Sequence, residues 1–164
     1  MNELDEKLYR RKSVRIITLL LTVFIFIFLS TKIHEYFHWA YAYYKGYDAI
    51  VQYGDLFGLK GWTYDNVTDR MAYFIGGLGT FGVMILIWFM IWIYPTNNTV
   101  PLELGSLIVA FANLFYSMVE GLFLGVYDNI YYSLKYPAYF IGFVIALIIY
   151  AGKTVEFIIK GEVI

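Results

Sequence analysis

Four long apolar stretches separated by short polar ones set the pattern of this chain. They cover residues 16–29, 71–94, 101–126 and 137–150, and the first continues with helical periodicity to about residue 44. A bilayer core of about 30 Å needs roughly 20 helical residues. The second and third stretches reach that length alone. The first does so if its helix runs through Trp39, and the fourth if it continues past Lys153, whose long stem can snorkel. Pro95 follows the second stretch, Pro101 opens the third and Pro137 opens the fourth, which predicts helix boundaries at those points. Aromatic side chains gather near the expected ends, among them Trp39, Tyr44, Tyr94, Tyr127 and Tyr136, as they do at membrane–water interfaces. The pattern predicts an all-α membrane protein of about four transmembrane helices, integral and multi-pass.

Residues 46–70 form the one sizeable polar insert. Gly46, Gly54, Gly58 and Gly61 punctuate it, with β-like runs at 49–53 and 61–64 and a candidate turn at 55–58. This spacing predicts a small β-hairpin or pair of strands after the first helix, at the membrane surface. The whole chain, 1–164, then reads as a single membrane domain: a basic segment 1–15, three helices within 16–126 that enclose the insert, and a fourth helix over 137–160.

Composition agrees with a membrane setting. Of the 164 residues, 60% are hydrophobic and 15% charged, against about 45–50% and about 25% in soluble domains. Net charge is −1, which argues against nucleic acid as a partner. The absence of Cys excludes disulfides, thiolate metal sites and a Cys nucleophile. Lys7, Arg10, Arg11, Lys12 and Arg15 precede the first apolar run, and no small-residue cleavage site follows, so the first span is expected to be uncleaved. These basic residues favour a cytoplasmic N-terminus, although Lys32, Lys45, Lys60, Arg70 and Lys135 would then lie on the opposite side.

The two histidines carry the chemical signal. His34-Glu35-Tyr36-Phe37-His38 is H-E-x-x-H. On a helix, positions i and i+4 share a face, so both imidazoles can reach one metal ion, with Glu35 beside them as a proton acceptor for water. Two histidines placed at random with a Glu after the first give this pattern in about one in 2,000 shuffled chains. The bland reading is two interfacial histidines at a helix end, which would be costly to bury without partners.

A zinc site of this kind needs a third protein ligand and an open position. No His or Cys remains, so the third ligand must be a carboxylate. Glu120 and Asp128 are the candidates, and depth separates them. From Ile16, His34 is 18 residues in and His38 is 22; from Pro101, Glu120 is 19 in and Asp128 is 27. At 1.5 Å per residue Glu120 is level with the His pair, and Asp128 lies roughly 7–13 Å beyond. Glu120 is therefore the expected third ligand and Asp128 the alternative, should the helix break at Gly121 or Gly125. Asn113, Ser117 and Glu120 share one helical face, a polar stripe expected to face protein or a water-filled cavity. Asn113 is a candidate for hydrogen-bonding a substrate backbone, or equally for an interhelical bond.

In these features the chain resembles the site-2 protease class, the M50-type intramembrane zinc metalloproteases. The H-E-x-x-H at 34–38 ends a membrane helix and precedes a β-like insert. Ile75-Gly76-Gly77-Leu78-Gly79-Thr80 is similar to the family's Ala-Gly-Pro helix start. The run from Asn113 through Glu120 to Gly121 is similar to its Asn…Leu-Asp-Gly element. The chain differs in having Glu120 where the family has Asp, and in lacking the prolines of both elements. The resemblance implies a catalytic core over 16–126 and a Zn²⁺ cofactor. It implies a membrane protein or peptide substrate, hydrolysed in or beside the bilayer with Glu35 as the catalytic base, and an insert hairpin able to pair with an extended substrate strand. Two other classes stand beside it: a non-proteolytic zinc-binding membrane adaptor, and a transporter or channel subunit whose pathway is lined by Asn113, Ser117 and Glu120.

Overall fold

A computed structural model describes residues 3–47, 49–52, 61–64, 69–94 and 99–159. Among them the chain forms four helices: α1 (Glu3–Lys45), α2 (Met71–Ile93), α3 (Val100–Phe123) and α4 (Asp128–Ile159). All four are long and apolar enough to cross a membrane. The basic segment does not stand apart from the first span, because α1 runs unbroken through it for 43 residues, about 64 Å at helical rise.

The β-hairpin insert expected over 46–70 is not seen as a hairpin, and the fold is set by the helices. Among the described residues, backbone pairing there is limited to two four-residue strands, β1 (Ala49–Gln52) and β2 (Gly61–Tyr64), antiparallel with Ala49 opposite Tyr64 and Gln52 opposite Gly61. The turn expected at 55–58 lies outside the described residues. The physical reason is size. Two short strands without a third have little face to bury and are marginal as a unit.

The start of the fourth helix is also corrected. Pro137 does not open it but lies inside α4, which begins at Asp128. Proline biases a chain toward a helix boundary without compelling one. The stronger local signal is Gly125, whose φ of 72° suits a residue without a β-carbon. The Gly125 N–H donates to Asp128 Oδ1 at 2.8 Å, and this bond closes the α3–α4 turn.

Helix α3 is the buried centre of the bundle. Val100, Leu104, Leu107 and Ile108 pack with Ala146, Tyr150 and Phe157 of α4, while Val109 and Ala110 pack with Phe26 of α1 and Met84 of α2. The outer faces stay apolar and exposed, as at Leu20, Phe24, Leu86, Met90, Phe140 and Ile148. Such a surface suits hydrocarbon and not water. Helix contacts are made close by small residues: a β-carbon on Gly142 of α4 would run into the backbone of Phe111 and Ala112 on α3. That is the packing used where lipid removes the hydrophobic drive between helices.

Several charged groups of the bundle are paired. Glu103, 1% exposed, accepts from Lys153 Nζ at 3.3 Å and from Thr99 Oγ1 at 2.8 Å. Lys153 thus crosses the fourth apolar stretch as one half of an ion pair. Arg15 Nη1 donates to the Phe157 and Ile158 carbonyls at 3.3 and 3.4 Å, which ties the beginning of α1 to the end of α4. At the other end of α1, the Tyr41 hydroxyl donates to Asp69, and Lys45 Nζ lies 3.6 Å from the same carboxylate. The Tyr41 hydroxyl and the Met71 N–H hold the Asp69 carboxyl below its usual range. This clasp fixes the start of α2 against the helix that carries the histidines.

Candidate metal centre

The i, i+4 spacing turns His34 and His38 to the inside of the bundle, 6% and 4% exposed, while Tyr36 between them points outward at 61%. Each imidazole then meets an element that holds it. His38 Nδ1 donates to the Ala72 carbonyl at the start of α2, 2.7 Å away. This bond assigns the proton to Nδ1 and leaves a lone pair on Nε2, the usual arrangement for a metal-ligating histidine. His34 Nε2 lies 3.0 Å from His38 Nε2. From α3, Glu120 Oε2 lies 3.3 Å from His34 Nε2 and 3.7 Å from His38 Nε2.

His34 Nε2, His38 Nε2 and Glu120 Oε2 therefore lie together in a buried site. Such a cluster could hold a cation among its members. Zinc bonds of about 2.0–2.1 Å in tetrahedral geometry require donor atoms about 3.3–3.4 Å apart, and the three separations straddle that value. Glu120 Oε2 is buried, and the two imidazoles are its polar neighbours among the described residues. His34, His38 and Glu120 form a buried group that could hold a metal ion, the one such group among the described residues.

Space for the ion comes from α2. A β-carbon on Gly76 would stand 2.7 Å from His34 Nε2 and closer still to His38 Nε2. A methyl group there would collide with the Nε2 atoms of both imidazoles. Gly77 serves a different purpose, since a β-carbon there would meet Ser117 and the Asn113 carbonyl. The polar stripe of α3 is thus partly used against α2, and Ser117 is fully buried.

The other expected site residues fall as follows. Glu35 is half-buried with its Oε2 buried, within electrostatic reach of His34, Tyr131 and Tyr139. Asn113 is buried beside His34, and its Nδ2 donates to the Val109 carbonyl at 2.9 Å. One N–H of its amide is thus used within α3, and the second N–H and the oxygen are not taken by that bond. Asp128 stands apart from the histidines, its Oδ1 taken by the turn it closes.

Helix α4 also borders the site, which a core ending at residue 126 leaves out. Tyr139 stacks on Tyr116 with ring centroids 4.5 Å apart, and Tyr116 lies 5.4 Å from the His34 ring. Tyr116 had a legible signal, one helical turn before Glu120 on the same face; Tyr131 and Tyr139 had none, because only the α3–α4 packing brings them in. A cavity of about 510 Å³ between α1, α3 and α4 adjoins the centre through Asn113 and Tyr139. Its walls are otherwise mostly apolar, including Ile27, Val109 and Phe143, with Ser30 and Thr31 among the polar ones.

Compared with protein-family models, curated proteins and solved structures, the chain finds no match.

Proposed function

We propose that the protein is an intramembrane zinc metalloprotease that hydrolyses a peptide bond of a membrane protein within or next to the bilayer. The observation that carries this reading is the convergence of His34, His38 and Glu120 with a glutamate directly after the first histidine. His34 Nε2, His38 Nε2 and Glu120 Oε2 hold the ion. Zinc, when bound, supplies Lewis acidity that polarises a peptide carbonyl and lets water ionise near neutral pH. Glu35 accepts the proton of the attacking water at its carboxylate and returns it to the departing amine. The buried site limits competing water, and the apolar cavity beside Asn113 receives a substrate side chain from the bilayer. The exposed apolar faces of α1, α2 and α4 support placing all of this in a membrane.

The test is metal removal. The zinc-loaded protein is reconstituted in lipid vesicles with a set of single-span membrane peptides, and new amino termini are read by mass spectrometry. Cleavage is expected to stop with a chelator and to return with stoichiometric Zn²⁺. Cleavage that continues in the chelated protein, or no cleavage of any peptide by the zinc-loaded protein, would contradict the proposal.

A further inference from the structure

The third ligand is a carboxylate with two oxygens, and the structure treats them differently. Glu120 Oε2 faces the imidazoles, whereas Oε1 accepts from the Tyr116 hydroxyl at 3.5 Å, the long end of hydrogen-bonding range. Tyr116 Oη is in turn 2.7 Å from Tyr131 Oη on α4. Each hydroxyl has one proton. If that of Tyr116 goes to Glu120, that of Tyr131 goes to Tyr116, and the chain runs one way, from α4 to the carboxylate. Bonds in such a chain polarise one another. The rings are held by packing: Tyr116 lies between Tyr139, stacked at 13° between planes, and His34. Tyr131 is 7% exposed.

We infer that Tyr116, backed by Tyr131, is a positioning residue that occupies Glu120 Oε1 and leaves Oε2 alone to bind the metal. The inference rests on the metal reading above. It gives α4 a part in the centre: the helix that supplies no ligand sets how the third ligand is presented. An apolar span offers few other donors to a carboxylate oxygen, so an Oε1 without this hydroxyl would turn toward the ion or toward stray water.

The experiment compares full-length wild type with Tyr116→Phe, Tyr131→Phe, the double variant and Tyr139→Phe in mild detergent. Zn²⁺ affinity is measured by chelator competition, and the visible absorption spectrum of the Co²⁺-substituted protein reports ligand geometry. Loss of an outer partner of a metal ligand costs about 10–100-fold in affinity. Tyr116→Phe is expected to weaken zinc binding by that factor and to alter the cobalt spectrum. Tyr131→Phe is expected to weaken it less, the double variant to be no worse than Tyr116→Phe, and Tyr139→Phe, which keeps the stacked ring, to match wild type. Tyr116→Phe with wild-type zinc affinity and cobalt spectrum would overturn the inference while leaving the metal centre standing. Wild type that binds no zinc would overturn both. If Tyr116→Phe does not fold, an unchanged affinity and spectrum in Tyr131→Phe overturns the relay.

Discussion

Gly76→Ala is expected to abolish metal binding while the four helices stay in place. The added methyl would stand 2.7 Å from His34 Nε2 and nearer to His38 Nε2, in the space where the donor atoms converge. To admit the methyl, either histidine must swing its Nε2 away from Glu120. His38 is held by the Ala72 carbonyl, and His34 is wedged beside Tyr116. Affinity should fall by more than the roughly 100-fold that follows loss of an outer partner, because this change blocks the ion itself. Gly82→Ala on the same helix is the control, since a β-carbon there meets nothing within 4 Å, and alanine favours helix by about 1 kcal/mol. Zinc content by elemental analysis and helicity by circular dichroism check the pair. A Gly76→Ala protein that keeps one zinc per chain would mean the ligands converge elsewhere.

Glu35→Gln should separate chemistry from binding. Glutamine keeps the size and hydrogen-bonding reach of glutamate but cannot take a proton from water. His34, His38 and Glu120 are untouched, so bound zinc should remain at the wild-type level. Peptide hydrolysis should fall by about 10²–10⁴-fold, in kcat and not in KM, because substrate contacts are unchanged. Single-turnover cleavage of a membrane peptide by both proteins checks this. Turnover within a few-fold of wild type would remove Glu35 from the mechanism.

Periodicity and depth made much of this architecture legible. Four apolar stretches announce four helices. Counting residues from Ile16 and from Pro101 puts Glu120 level with His34 and His38, and the three side chains meet. What escaped is tertiary or depends on weak local signals. Pro137 suggests a helix start, but the turn closed by Asp128 and Gly125 starts α4 nine residues earlier. The glycine-punctuated insert reads as a hairpin, yet among its described residues only two short strands pair, with too little face to define a unit. Asn113 is expected to bond either a substrate backbone or a neighbouring helix, and one of its amide N–H groups goes instead to Val109 on its own helix. Tyr131 and Tyr139 reach the centre because Gly142 lets α4 lie against the α3 backbone, a contact with no trace in the spacing of either helix. Gly76 is legible only as part of the glycine-rich start of the second helix; that it leaves room beside the ligand atoms required the fold.

The central claim is that His34, His38 and Glu120 hold one zinc ion. Its most direct test is elemental analysis of the protein purified in mild detergent without chelator, beside His34→Ala. One zinc per chain in the wild type, absent from a folded His34→Ala protein, is the expected result. A folded wild type with no zinc that takes up none when Zn²⁺ is supplied, or equal zinc in both proteins, would contradict it.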